Sequence, residues 1–95
     1  MKIKTIKSTP TFERDYKSLK KKHYNMDKLE KAIVHLSNRD TEILRRKYKD
    51  HALKGHLNGL RELHIEGDWL LMYQIKNDIL ELLLIATGSH DHIFR

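Results

Sequence analysis

His51, His64, Asp68 and His90 are the side chains of this sequence best suited to moving protons. An imidazole titrates near neutral pH, so it accepts and returns a proton under ordinary cellular conditions. Five of the seven histidines (His51, His56, His64, His90 and His92) fall in the second half of the chain, with Lys54, Arg61 and Glu62 nearby. His64 projects from one face of a predicted strand, and Asp68 follows just past a turn at Gly67, which brings the two within hydrogen-bond reach. His90 comes directly after the last predicted strand, where a chain leaving a sheet converges with the 66–68 turn. Three readings fit these residues. In the first, several imidazoles and a carboxylate form an acid–base site of the kind RNA cleavage needs. A base removes the 2′-OH proton, the oxyanion attacks the adjacent phosphorus in line, and an acid protonates the departing 5′-oxygen while positive charge stabilises the phosphorane. In the second, His64, His90, His92 and Asp68 ligate a metal, although neither a helical HExxH pattern nor a cysteine supports it. In the third, each histidine is an ordinary surface or half-buried polar residue. That last reading is assigned to His23 and His35, which fall on predicted helices remote from the group.

The elements that must position these residues follow from periodicity. Lys2 to Lys7 reads as a short strand with Ile3 and Ile6 as its apolar content. Thr9-Pro10 is a helix start, because threonine caps and proline fits the first turn. Phe12, Tyr16, Leu19 and His23 then share a helical face, with Lys17, Lys20, Lys21 and Lys22 on the other sides. A second helix begins near Asn25 or Asp27, where Asp27 and Glu30 resemble a capping box, and buries Met26, Leu29, Ile33 and Leu36. Ser37 to Asp40 breaks the pattern, and Thr41 to Tyr48 makes a short basic helical turn. Leu60 to Glu66 alternates, with Arg61, Leu63 and Ile65 on one side and Glu62, His64 and Glu66 on the other. Trp69 to Lys76 and Ile79 to Thr87 pair as a hairpin around Asn77-Asp78. The near-continuous apolar run of the second suits a strand covered on both faces. Trp69, Tyr73 and Ile75 share one face and read as core, whereas Phe94 in the tail is either a packing peg or a surface for stacking a base. Strand, two helices, then three or four strands make an α+β domain with a small antiparallel sheet, and residues 1–95 read as a single domain.

Composition narrows the function. The chain has 95 residues, pI near 9.6 and a net charge of +6. Residues 1–49 carry 15 of the 19 basic side chains and only 6 of the 13 acidic ones. That asymmetry separates a part attracting polyanions from a part carrying titratable chemistry, although solvated lysine-rich helix faces give the same count. The absence of cysteine excludes disulfides, thiol catalysis and Cys-ligated zinc. No apolar run approaches a membrane span, and the start alternates charge with apolar residues unlike a signal peptide. A small, soluble, basic protein of the cytoplasm is expected, with no membrane partner.

Three blocks then carry a resemblance. They are Tyr48-Lys49-Asp50-His51-Ala52-Leu53-Lys54-Gly55, Arg61-Glu62-Leu63-His64-Ile65-Glu66-Gly67-Asp68-Trp69, and Thr87-Gly88-Ser89-His90 with Phe94 four residues on. In this order and spacing, across the whole chain, the sequence resembles the YafQ branch of the RelE/ParE superfamily, the toxins of bacterial type II toxin–antitoxin modules. The resemblance implies the RelE-like microbial RNase fold and a ribosome-dependent mRNA interferase, an endoribonuclease that cuts the codon in the A site without metal or other cofactor. It places His51, His64, Asp68, His90 and Phe94 on the active-site positions. On that footing His90 is the expected acid, Asp68 the expected base with help from His64 or His51, and Phe94 the residue that positions a base. His51 and Arg61 are expected to orient the phosphate, with Lys54 beside them. Lys20, Lys21, Lys22, Arg45, Arg46 and Lys47 are expected to meet ribosomal RNA or an acidic cognate antitoxin of the DinJ or RelB kind. Operator DNA is expected as a partner only of the toxin–antitoxin complex. ParE-type relatives share the fold and inhibit DNA gyrase by binding, which is the rival reading. The sequence departs from the family at Ala52 and Gly67, where proline is common, and His56 and His92 have no place in the expected site.

Overall fold

The alternating strands after residue 60 form the centre of a five-stranded mixed sheet in the computed structural model, which describes residues 2–94. β3 (Arg61–Glu66), β4 (Trp69–Lys76) and β5 (Glu81–Gly88) are antiparallel neighbours. β1 (Thr5–Ser8) joins β5 in parallel, and the two-residue β2 (His51–Ala52) pairs antiparallel with β3 at the other edge. The first strand begins later than the expected Lys2–Lys7. Ile3 lies before it and packs against the core, while Ile6 is 47% exposed. Backbone bonding sets this edge: the Lys4 N–H donates to Leu80 O at 2.7 Å, and pairing runs from Thr5 opposite Glu81 to Ser8 opposite Leu84. Side-chain pattern therefore does not mark its bounds.

α1 (Pro10–Lys21) starts as expected, with Thr9 Oγ1 accepting the Phe12 N–H and Pro10 in the first turn. His23 is not on its face. It sits past the helix end with φ 63°, exposed, in the turn to α2 (Met26–Asn38). Asn25, not Asp27, caps that helix, its Oδ1 accepting the Asp27 N–H at 3.2 Å. α2 also runs through Asn38 and stops at a left-handed Arg39, so the break falls later than Ser37. α3 (Thr41–Lys47) is the expected basic segment. None of the helices among the described residues is long and apolar enough to cross a membrane.

These three helices cover one face of the sheet. Phe12, Leu19, Leu29, Ala32, Leu36 and Leu44 bury themselves against Leu63, Trp69, Leu71, Tyr73, Leu82 and Leu84. Each large apolar side chain so buried contributes about 1.5–3 kcal/mol. On the other face, Leu70, Met72 and Ala86 are buried outside that cluster, and Leu83 and Ile85 are half-buried. No second helical layer therefore covers β5, contrary to the expectation from its apolar run. Its central place between β1 and β4 buries it instead. The hairpin turn is also wider than Asn77-Asp78, because Lys76 pairs with Glu81 and leaves Asn77–Leu80 outside the ladder, with Leu80 at φ 51°.

On the helix-covered face, register partners Arg61 and Tyr73 converge on Asp50. Arg61 Nη2 donates to Asp50 Oδ2 at 3.0 Å, and the Tyr73 hydroxyl donates to Oδ1. Burial, then the bond to Asp50, push the Tyr73 phenol well above its ordinary value. Burial opposes the Arg61 charge, but its bonds to Asp50 and Tyr73 outweigh that and raise it. The fold holds the phenolic proton more tightly than the unfolded chain does. Its contribution is thus complete below pH about 10 and is lost as pH rises beyond that. Tyr73→Phe should cost about 1–3 kcal/mol at neutral pH, because Asp50 loses a partner. Urea denaturation should also show the unsubstituted protein losing stability more steeply than Tyr73→Phe above pH about 10.

Candidate active site

The helix-free face gathers the imidazoles. His51 of β2 stands directly opposite Glu62 of β3, and His64 lies two residues along the same strand, so strand periodicity puts all three on one face. Glu62 Oε1 is 3.5 Å from His51 Nε2 and 3.9 Å from His64 Nε2. The carboxylate is buried, with the residue only 5% exposed, and its Oε2 has no hydrogen-bond partner among the described residues. A carboxylate in that position is costly unless paired. The two imidazoles, with ring centroids 6.3 Å apart, are the polar groups it faces. His51 Nδ1 donates to Lys49 O at 2.8 Å, which fixes the ring. His64 is held more loosely, with Nδ1 3.5 Å from Gly67 O, while its backbone N–H is tied to Tyr48 O at 2.6 Å. A register shift between His64 and Glu66 then bends β3 into the turn that carries Asp68.

His90 reaches the same end of the sheet. His64, Leu70 and Gly88 form one row across three strands, about 10 Å at ordinary strand spacing, and His90 follows two residues later. It opens α4 (His90–Ile93), a single turn in which Ser89 Oγ accepts the His92 N–H at 3.1 Å. Asp68 Oδ1 accepts the His90 N–H at 3.0 Å, so the expected convergence of His90 with the 66–68 turn occurs through the backbone. Asp68 thus engages His90, whereas His64 Nδ1 turns to Gly67 O. Phe94 is half-buried, its ring 4.8 Å from that of His90.

The remaining expected residues lie elsewhere. Arg61 alternates onto the opposite face and pairs with Asp50, so it does not join His51. It borders a separate hollow of about 510 Å³ that also contains Asp50, Tyr73 and Arg39. Lys54 is exposed at the start of a 3₁₀ turn, Gly55–Leu57, which also exposes His56. Lys20, Lys21 and Lys22 are exposed at the end of α1, and Lys22 borders a hollow of about 220 Å³ with Gly88, Ser89 and His92. Arg45 and Arg46 are exposed and pair with Glu42 at 3.2 and 3.1 Å, and Lys47 lies over the Tyr48 ring.

Residues 4–95 match the family described as bacterial toxin of type II toxin–antitoxin system, YafQ. The chain is 35% identical over 89 residues to the mRNA interferase toxin YafQ of Escherichia coli (strain K12), covering 94% of each. It superposes on the E. coli DinJ–YafQ toxin–antitoxin complex with a TM-score of 0.85 at 33% identity, covering all of both chains. A metal-bound toxin from Helicobacter pylori gives a TM-score of 0.83 at 41% identity, with 99% of this chain and 100% of that one covered. The chain belongs to the YafQ family. In this YafQ-family chain, no group of three or more His, Asp or Glu side chains among the described residues is placed to hold a metal.

Three polar residues of this YafQ fold escaped the sequence reading: Glu62 as the partner of two imidazoles, and Asp15 with His92, joined at 2.7 Å. Glu62 had a signal, since it alternates onto the face of His64. The Asp15–His92 pair had none, being separated by 77 positions. Gly67, at φ 47°, occupies a conformation closed to the proline common in the family. Asp68→Asn keeps an oxygen for the His90 N–H and should leave α4 in place. Asp68→Ala should cost about 0.5–2 kcal/mol, as other lost caps do, and speed amide exchange at His90; equal exchange in both variants would contradict this role.

Proposed function

We propose that residues 1–95 act as one toxin domain that cleaves messenger RNA in the ribosomal A site, in the cytoplasm, by acid–base chemistry on the RNA 2′-OH. The observation that carries this reading is the assembly of His51, His64 and buried Glu62 on a helix-free face, at the end where His90 arrives. A protein acting only by binding has no need for a buried carboxylate backing two imidazoles.

His64 takes the 2′-OH proton, since its ring is the less tightly held of the two, and Glu62 stabilises the imidazolium that forms. The alkoxide attacks phosphorus, and His51 supplies positive charge to the phosphorane oxygens. His90 protonates the leaving 5′-oxygen, giving a 2′,3′-cyclic phosphate and a 5′-hydroxyl. Asp68 holds the backbone of His90 in this scheme, a supporting role in place of the base expected from sequence. Phe94, against the His90 ring, offers a face to a nucleobase. Lys22, at the end of α1, borders the hollow beside α4, which favours its meeting RNA phosphates together with the exposed Lys20 and Lys21 next to it in sequence. The antitoxin reading rests on the E. coli relative, solved with DinJ. A partner of that kind, acidic against this basic chain, would hold the toxin silent.

Purified protein with translating ribosomes should cleave the message, leaving 2′,3′-cyclic ends. His90→Ala and His64→Ala should each slow cleavage about 10²- to 10⁴-fold with the fold intact. Glu62→Gln should be slowed too, and combining it with His64→Ala should add little, because the two act as a unit. Intact message together with inhibited gyrase supercoiling would instead establish the ParE-type activity. Replacing Lys20, Lys21 and Lys22 with Ala should weaken ribosome binding and flatten its salt dependence; an unchanged slope would remove them from the interface.

A further inference from the structure

A helix of one turn does not hold itself in place, because nucleation is unfavourable and one turn returns almost no hydrogen bonds. α4 nevertheless carries His90 and leads to Phe94. Its anchor on the side away from the imidazole face is His92, two residues on and therefore directed away from His90. His92 Nε2 donates to Asp15 Oδ1 at 2.7 Å. Asp15 is a 7%-exposed carboxylate on the sheet-facing side of α1, where Phe12 and Leu19 are core. Its second oxygen accepts the Thr87 N–H at 3.1 Å. Thr87 Oγ1 in turn donates to Leu70 O at 2.8 Å and accepts from Trp69 Nε1 at 3.0 Å. One run of hydrogen bonds thus joins α4 to α1, β5 and β4. Gly88 makes room for it: at φ 149°, a Cβ there would stand 2.9 Å from His92 Cδ2.

We propose that His92 is a positioning residue, and that with Asp15 it forms a latch that sets the direction of α4 and so aims His90 at the scissile phosphate. The inference rests on the reading of His90 as the acid. The latch fixes the inner side of α4, while Asp68 and Ser89 satisfy its first N–H groups. With both, the His90 ring is held over the sheet end; with the caps alone, the turn pivots.

The test compares His92→Ala, His92→Gln and Gly88→Ala in the full chain. Glutamine keeps an N–H donor at about the reach of Nε2, whereas Gly88→Ala removes no hydrogen-bonding group but displaces the imidazole and strains the backbone at φ 149°. Amide exchange at Ile93 and Phe94, whose N–H groups close the α4 turn, reads the latch directly. Emission from Trp69, the only tryptophan, reads it from the Thr87 end. His92→Ala and Gly88→Ala should accelerate exchange about tenfold and shift the emission, and His92→Gln should restore both. Single-turnover cleavage on ribosomes should fall about 10- to 100-fold in the first two variants, with ribosome affinity unchanged, and recover in His92→Gln. Unchanged exchange in His92→Ala would overturn the latch. Accelerated exchange with undiminished cleavage would overturn the positioning role. Absence of cleavage by the unsubstituted protein would refute the nuclease reading instead, and exchange would still decide the latch.

Discussion

A carboxylate buried on a sheet face has to be neutralised or paired, and Glu62 is buried on the face that no helix covers. The imidazoles that meet it come from its register partner on β2 and from its own strand two residues on. Much of the molecule follows from that requirement. β2 is only two residues long, yet it has to lie at the edge of β3 to present His51. The backbone bond from His64 to Tyr48 sews the end of α3 to the same strand. Its second oxygen, Glu62 Oε2, is buried without a hydrogen-bond partner among the described residues.

The two faces of the sheet divide the work. The helix-covered face holds the apolar cluster and the Asp50–Tyr73–Arg61 group, in which burial raises the phenol and favours the neutral donor. The open face has a smaller apolar strip of Leu70, Met72 and Ala86 with half-buried Leu83 and Ile85, bordered by ionisable side chains. Strand alternation enforces this separation: Arg61 and Glu62 are neighbours in sequence and belong to different faces. A cation expected beside His51 instead stabilises the fold.

Charge along the chain gains a similar meaning. The lysine-rich end of α1 borders the hollow beside α4, and the arginines of α3 precede the turn into His51. Most side chains of both basic segments are solvated. Arg45 and Arg46 share Glu42, so part of their charge is already balanced locally.

The sequence by itself determined whatever depends on neighbours a few residues away. Thr9-Pro10 begins a helix because cap and first-turn chemistry are local, and Leu29, Ile33 and Leu36 share a face because helical period is local. The alternation of β3 likewise assigned Arg61 and Glu62 to opposite sides, and the three motif blocks carried the family. What the tertiary structure alone decided involves partners far apart in the chain. The start of β1 is set by backbone bonds to Leu80, the pairing of Glu62 by the register of β2, and the tail by a bond from His92 to Asp15. A side chain's type fixes what it can donate, accept or ionise. Whether it meets a partner is set by which distant segment the core brings beside it, and no local pattern encodes that distance.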